Sequence, residues 1–401
     1  GSSQTVGEAG QRHARPYQGG HRACRRSTAT DIPPARCFWP GNDVAGGVYG
    51  HREERFFDWS VYPDSRRLMS PATGPPAHDD ELRSDGGGLT AGTARVDITP
   101  ETGRAFQGYV RPDMRAEGVG IRMFARALVL ADGDQKIALV SADLLYGIDK
   151  DAVLDRVRTR GFTRETVLYA GTHTHAASDA GEWTAAQVAD AITEADERRE
   201  PARAGWASTT VENVNRNRSL EAHLANHGLD LYPGTGSTDL DPEGEDHPRD
   251  TTLRLLRVED HEGTPIGAWT QFPVHPTAFS PHNTVYSADL AGAAVRHVTE
   301  EFDDAPTVLF HNGTQGDLIP IYEACNQYAL ADLLGARLAD GIVTAWEEAG
   351  DALAATLPLA ARGTTVTYDG QKVEPGARVG SRALFGVPFL GGAENGPSFF
   401  Y

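Results

Sequence analysis

From residue 89 onward, short runs of apolar and β-branched residues alternate with alanine-rich amphipathic segments, which restricts this chain to folds in which helices cover a sheet. The strand-like runs are 92–98, 121–131, 136–143, 166–171, 205–212, 251–258, 265–274 and 306–311, each bounded by turn residues. Helices are predicted at 150–159, 183–198, 288–302 and 326–349. In the second, Val188, Ile192 and Ala195 follow a 3–4 spacing, and in the last Leu330, Leu333, Leu334, Leu338, Ile342 and Trp346 share one face. The expectation is an α/β fold, with mixed β-sheets flanked by helices.

Residues 1–88 have a different texture. They are rich in Gly, Pro, Arg and Ser, show no sustained period, and end in the turn-forming run SDGGG at 84–88. They are predicted to form a largely disordered or loosely packed extension, leaving 89–401 as the domain. Segment 221–250, polar and full of turn residues, is predicted as a long surface loop of the kind that carries function.

The 56 acidic residues outnumber the 37 basic ones, and because acids and bases cancel within 1–88, the whole net charge of −19 falls on 89–401. That balance argues against a nucleic-acid-binding protein. No window approaches the roughly 18 consecutive apolar residues of a membrane-spanning helix, and no apolar run follows the basic start as in a secretory signal. Cys24, Cys37 and Cys325 form no Cys-x-x-Cys pair, which argues against a disulfide framework or a cysteine-based zinc site.

The strongest local signal is Leu168-Tyr169-Ala170-Gly171-Thr172-His173-Thr174-His175, an apolar strand running out into His-x-His. On an extended chain residues i and i+2 share a face, so both imidazoles are expected to project toward one point, where they suit a metal ion. Two further strands run out in the same way, one into Phe272-Pro273-Val274-His275 and one into His311 with the turn Asn312-Gly313-Thr314-Gln315-Gly316-Asp317. Ligands of open α/β sheets gather beyond the carboxyl ends of strands, so these ends are the expected site. The glycine-rich turn itself can hold an anion on its N–H groups or simply reverse the chain. Asn213-Val214-Asn215-Arg216-Asn217-Arg218-Ser219 concentrates donors suited to a carbonyl oxygen, carboxylate or phosphate.

Taken in order, Ala94-Arg95-Val96-Asp97-Ile98-Thr99, Gln107-Gly108-Tyr109, Ala125-Arg126-Ala127, Ser141-Ala142-Asp143-Leu144, the THTH run, the NRNRS run and Phe272-Pro273-Val274-His275 resemble the N-terminal catalytic region of the neutral/alkaline, non-lysosomal ceramidases. The resemblance covers roughly 90–400 and rests on THTH, NRNRS and FPVH occurring together. It implies a Zn2+-dependent hydrolase that cleaves the amide bond of an N-acylsphingosine, a lipid-like amide substrate, and an extracellular location. It also implies His173 and His275 as zinc ligands, His175 and Arg218 as catalytic residues, and Arg216, Asn217 and Asp317 as substrate-binding residues.

Two features depart from the family pattern. A motif of the type Gly-Asp-x-Ser-Pro-Asn reads Gly316-Asp317-Leu318-Ile319-Pro320-Ile321, so Ile319 stands where the resemblance implies a serine needed for activity. Isoleucine can neither donate nor attack, which leaves open a different N-acyl amide as substrate, or a non-catalytic binding or assembly module. The resemblance also implies a Glu and a Tyr as remaining zinc ligands, from a region beyond Tyr401, so a further C-terminal segment or a second chain is expected to supply them. Asp143, Asp317, His311 and Glu323 are the candidates within the chain to take their place.

Overall fold

The computed structural model describes residues 88–109, 114–145, 148–219, 249–324 and 326–363, with the backbone of four short strands beyond them. All but the last residue of the expected extension, all but two residues of the 221–250 loop, and the three cysteines lie outside the described residues.

The helices and the longer strands form close to where the hydropathy pattern places them. The strands are β1 (Leu89–Asp97), β2 (Gly118–Val119), β3 (Phe124–Asp132), β4 (Gln135–Ala142), β5 (Val167–Gly171), β6 (Glu200–Thr210), β7 (Asn215–Asn217), β8 (Thr252–Asp260), β9 (Pro265–Phe272), β10 (Val285–Tyr286), β11 (Thr307–Asn312) and β12 (Leu318–Pro320), followed by β13 (Lys372–Glu374), β14 (Ala377–Arg378), β15 (Gly392–Ala393) and β16 (Gly396–Pro397). The helices are α1 (Lys150–Val157), α2 (Glu182–Glu197), α3 (Asp289–Glu301) and α4 (Gln327–Ala349). Asp149 and Asn326 cap α1 and α4 by accepting from backbone N–H groups of the first turn.

One eight-stranded mixed sheet runs in the order β11-β9-β8-β6-β1-β3-β4-β5. Its middle is weak, because β1 and β6 share only the pairs Thr90↔Pro201 and Ala91↔Glu200. The sheet folds over at this seam into two half-sheets that pack face to face. Leu89, Leu128, Leu130, Leu139, Ala204, Val258 and Leu309 fill the space between them. On the outer faces, α1 and α2 pack against β1, β3 and β4, and α3 and α4 pack against β8, β9 and β11. The result is four layers with three apolar interfaces. Buried on both faces, β3 reads as a nearly continuous apolar run rather than an alternation.

The half-sheets repeat one connectivity. β1, β3 and β4 are successively antiparallel, then α1 crosses to β5 parallel to β4 and α2 follows; β6, β8, β9, α3, β11 and α4 do the same. Each half also brings the last turn of its second helix onto its first strand. A Cβ on Gly92 would stand 2.3 Å from the Ala195 carbonyl oxygen, and one on Gly205 2.2 Å from that of Ala349, so both positions need glycine. Hydrogen bonds between the half-sheets then fix their register: Ser141 Oγ donates to Phe310 O (2.6 Å), and His311 Nε2 donates to Val140 O (3.0 Å). The carboxyl ends of β4, β5, β9 and β11 therefore meet at one end of the molecule, although β5 and β11 are opposite edges of the sheet.

Candidate metal and catalytic site

β5 ends at Gly171, before either histidine of the THTH run. His173 has φ 71°, in the left-handed region, which costs a non-glycine residue on the order of 1–3 kcal/mol. Bonds from Thr172 N to Ala142 O (2.8 Å) and from His173 N to Leu144 O (2.9 Å) hold the kink. The reasoning from strand alternation is thus corrected, since this turn brings the rings of His173 and His175 together, with centroids 5.3 Å apart.

His275 follows β9 and is gripped by the glycine-rich turn after β11. Its N–H donates to Leu318 O (2.8 Å) and its Nδ1 to Gln315 O (2.8 Å). His173 Nδ1 similarly donates to Leu145 O (2.9 Å). A carbonyl only accepts, so each Nδ1 carries the proton and each Nε2 presents a lone pair. Those two Nε2 atoms face each other at 3.2 Å. Two nitrogens bound to one tetrahedral zinc ion at about 2.0–2.1 Å would stand about 3.3 Å apart. The His175 ring centroid is 5.3 Å from that of His275, and both its ring nitrogens are buried with no hydrogen-bond partner among the described residues. The ligand atoms of the three histidines lie within 4.8 Å of one another, and they are the one such group of His, Cys, Asp and Glu among the described residues. This donor set fits a metal ion.

Electrostatics point the same way. Burial pushes the His275 pKa down to about 4, lowers that of His173, and holds that of His175 well below the ordinary range. The Arg218 guanidinium adds to all three depressions. All three imidazoles are therefore neutral at pH 7, the form that ligates a metal.

Arg218 is set by β7, which pairs antiparallel with β12. Alternation along β7 buries Asn215 and Asn217 and exposes Arg216, whose guanidinium lies over the Tyr322 ring at 5.9 Å. Asn217 Nδ2 donates to Asp317 Oδ2 (2.9 Å), so these two expected substrate-binding residues brace one another. Arg218 N and Nη2 donate to Asp317 O and Gly316 O, both at 2.7 Å, and its Nε is buried with no partner among the described residues. Of the NRNRS run, Arg218 is the residue whose charge reaches the histidines.

The proposed stand-ins for missing ligands do not join the group. Asp143 is buried against Arg126, and Glu323 pairs with Arg337. His311, expected to converge with the other histidines, lies within β11 rather than after it. Its ring sits between the half-sheets, edge-on to Trp269 at 5.5 Å. Burial pushes its pKa from 6.5 down to about 4. The unfolded chain then binds a proton that the folded protein refuses, so this contribution to stability is complete above about pH 6.5 and falls by about 3 kcal/mol as the pH drops to 4. His311→Gln is expected to remove one proton's worth of slope from the urea-unfolding free energy across that window. An unchanged slope would count against a buried, neutral His311.

Sequence reasoning did not assign a role to Gly108 or Tyr109. The Tyr109 ring meets the His175 ring edge-on at 4.8 Å, and its hydroxyl donates to Phe279 O in the loop after His275. A Cβ on Gly108 would stand 2.3 Å from both Cα and Cβ of His175. Gly108→Ala is therefore expected to displace His175, lowering stability by about 1–3 kcal/mol and metal affinity by about tenfold or more. Gly118→Ala, where the nearest atom is 3.6 Å away, serves as control in thermal unfolding and zinc titration.

Comparisons with known proteins show the family and the fold. A family model described as neutral/alkaline non-lysosomal ceramidase, N-terminal, matches residues 89–189 and 180–347. Neutral ceramidase of Drosophila pseudoobscura pseudoobscura is 29% identical over 242 residues, covering 53% of this chain and 32% of that protein. Neutral ceramidase of Pseudomonas aeruginosa is 27% identical over 248 residues, 55% of this chain and 34% of that protein. The matches thus span about a third of these relatives. The crystal structure of the Pseudomonas aeruginosa neutral ceramidase superposes with a TM-score of 0.57 at 24% identity, covering 68% of this chain and 46% of that one, which shows a shared fold.

Proposed function

Because the chain belongs to the neutral/alkaline, non-lysosomal ceramidase family, we propose that it serves a zinc-dependent hydrolase of N-acyl amides, with an N-acylsphingosine as the first substrate to test. His173 and His275 are the metal ligands in this reading. The observation that carries it is the pair of Nε2 atoms facing each other at 3.2 Å beside His175, whose ring nitrogens are buried.

A bound zinc ion supplies Lewis acidity toward an amide carbonyl and lowers the pKa of a water molecule toward about 7. The protein does the rest. Arg218 brings a guanidinium beside the histidines, and its Nε, which has no partner among the described residues, is a donor for an oxygen that gains negative charge. Neutral His175 has one lone pair and one N–H, which equips it as a third ligand or as a second donor to that oxygen. Ile319 is 2% exposed within β12, opposite Arg216, so no hydroxyl is available where the resemblance implies a serine. This favours water as the attacking group, and it also favours a second reading in which the substrate is another N-acyl amide.

Metal analysis of the purified protein, stripped and then reloaded, tests the first step. Stoichiometric zinc uptake followed by cleavage of short- and long-chain N-acylsphingosines is the expected result. Failure to bind zinc, with stability unchanged by added metal, overturns the proposal. Zinc uptake without cleavage of any N-acylsphingosine moves the assignment to the second reading.

A further inference from the structure

We propose that Asn312, the last residue of β11, is the positioning residue that sets the spacing of the two metal-facing histidines. The inference rests on the metal reading above. Asn312 Nδ2 donates to Thr172 O (2.9 Å) and to Val274 O (2.7 Å), and Val274 N donates to Asn312 Oδ1 (3.1 Å). Thr172 and Val274 are the residues immediately before His173 and His275. One carboxamide thus spends both its N–H groups and an oxygen lone pair tying together loops that leave different half-sheets.

The surroundings hold this side chain in place. Gly313 N donates to Phe272 O (3.2 Å), and a Cβ on Gly313 would stand 2.9 Å from Pro273 Cβ, so the turn lies hard against the strand end that carries His275. The turn continues to Gln315 and Leu318, whose carbonyls accept from the His275 ring and backbone. His173 has its own grip from the segment after β4, where Leu144 O accepts from its N–H and Leu145 O from its ring. Each ring is thus held by its own half-sheet, and the Asn312 bond to the carbonyl of the residue before His173 is what joins this strained residue, at φ 71°, to the His275 loop.

The oxygen and nitrogen of this side chain have separate tasks, and substitutions separate them. Asn312→Asp keeps the volume and the acceptor, removes both donors, and sets a carboxylate against two carbonyl oxygens. Asn312→Ala removes everything, and Asn312→Ser retains a single donor. Thr93→Val is the control, since Thr93 Oγ1 donates to Ile266 O (3.0 Å) and lies 3.1 Å from Thr307 Oγ1, linking the half-sheets away from the histidine loops.

Zinc affinity is measured by competition with a chromophoric chelator, and the histidine imidazole resonances of the metal-free protein are recorded by 1H–15N correlation. The expected result is zinc affinity about 10–100-fold weaker for Asn312→Ala and Asn312→Asp, intermediate for Asn312→Ser, and unchanged for Thr93→Val. The His173 and His275 resonances are expected to move in the Asn312 variants alone. Variants that lose thermal stability but keep wild-type zinc affinity and unmoved resonances overturn the proposal, leaving Asn312 a purely structural residue. If the wild-type protein takes up no zinc, the metal reading fails instead, and the metal-free resonances still decide whether Asn312 positions the two rings.

Discussion

On the proposed function, His275→Ala is expected to abolish stoichiometric zinc binding and to lower amide hydrolysis by about a thousandfold or more, a loss of about 4 kcal/mol of transition-state stabilisation. The variant removes one of two Nε2 atoms that face each other at 3.2 Å and leaves Gln315 O without its ring donor. Metal content and turnover are expected to fall together, because the same atom serves both. His173→Gly makes the complementary prediction. It deletes the other proposed ligand but relieves a φ of 71°, which glycine adopts without steric cost. Its metal-free form is expected to be at least as stable as the wild type while zinc binding is lost, so that function and stability move in opposite directions. Retention of zinc in either variant, seen by metal analysis after gel filtration, would sink the assignment of these ligands.

Arg126→Met is expected to produce the largest loss of stability, about 3–5 kcal/mol. Arg126 Nη1 lies 2.9 Å from Asp143 Oδ2, and the side chains are 3% and 1% exposed. Burial raises the Asp143 pKa, and the Arg126 charge and the Phe124 N–H pull it back. With the guanidinium gone, a carboxylate at the end of β4, beside the kink at His173, is left without its cation. A fall of the unfolding midpoint by on the order of 10 °C is expected. Arg126→Met combined with Asp143→Asn is expected to recover much of it, because the buried charge is then absent. A single variant as stable as the wild type would show that the pair contributes nothing.

Elements with a clear period were legible from the chain. The helix expected at 326–349 is α4, Gln327–Ala349, and its N-cap at Asn326 is a local side-chain bond that sequence alone can suggest. The strand expected at 121–131 starts later, at Phe124, because Ile121, Arg122 and Met123 belong to the irregular approach to the sheet. The strand expected at 205–212 starts earlier, at Glu200, because the pairing of Glu200 and Pro201 with β1 draws in residues of no strand-like composition. β2, β7, β10 and β12 are two or three residues long, too short for any hydropathic period. They pair across long sequence distances, and one of these pairings places Arg218.

Within the site, the sequence by itself determined the chemistry on offer: imidazoles beyond strand ends, a guanidinium in an asparagine-rich run, and an isoleucine in place of a hydroxyl. Hydropathy and donor inventory are properties of short segments, so they can be read without the fold. Tertiary structure alone decided that His173 and His275, 102 residues apart, face each other, that His175 joins them, and that His311 does not. That decision was made where the sheet folds at its two-pair seam and apolar side chains of both halves pack between them. Packing of one face on another sets which strand ends coincide, and no period along the chain encodes that distance.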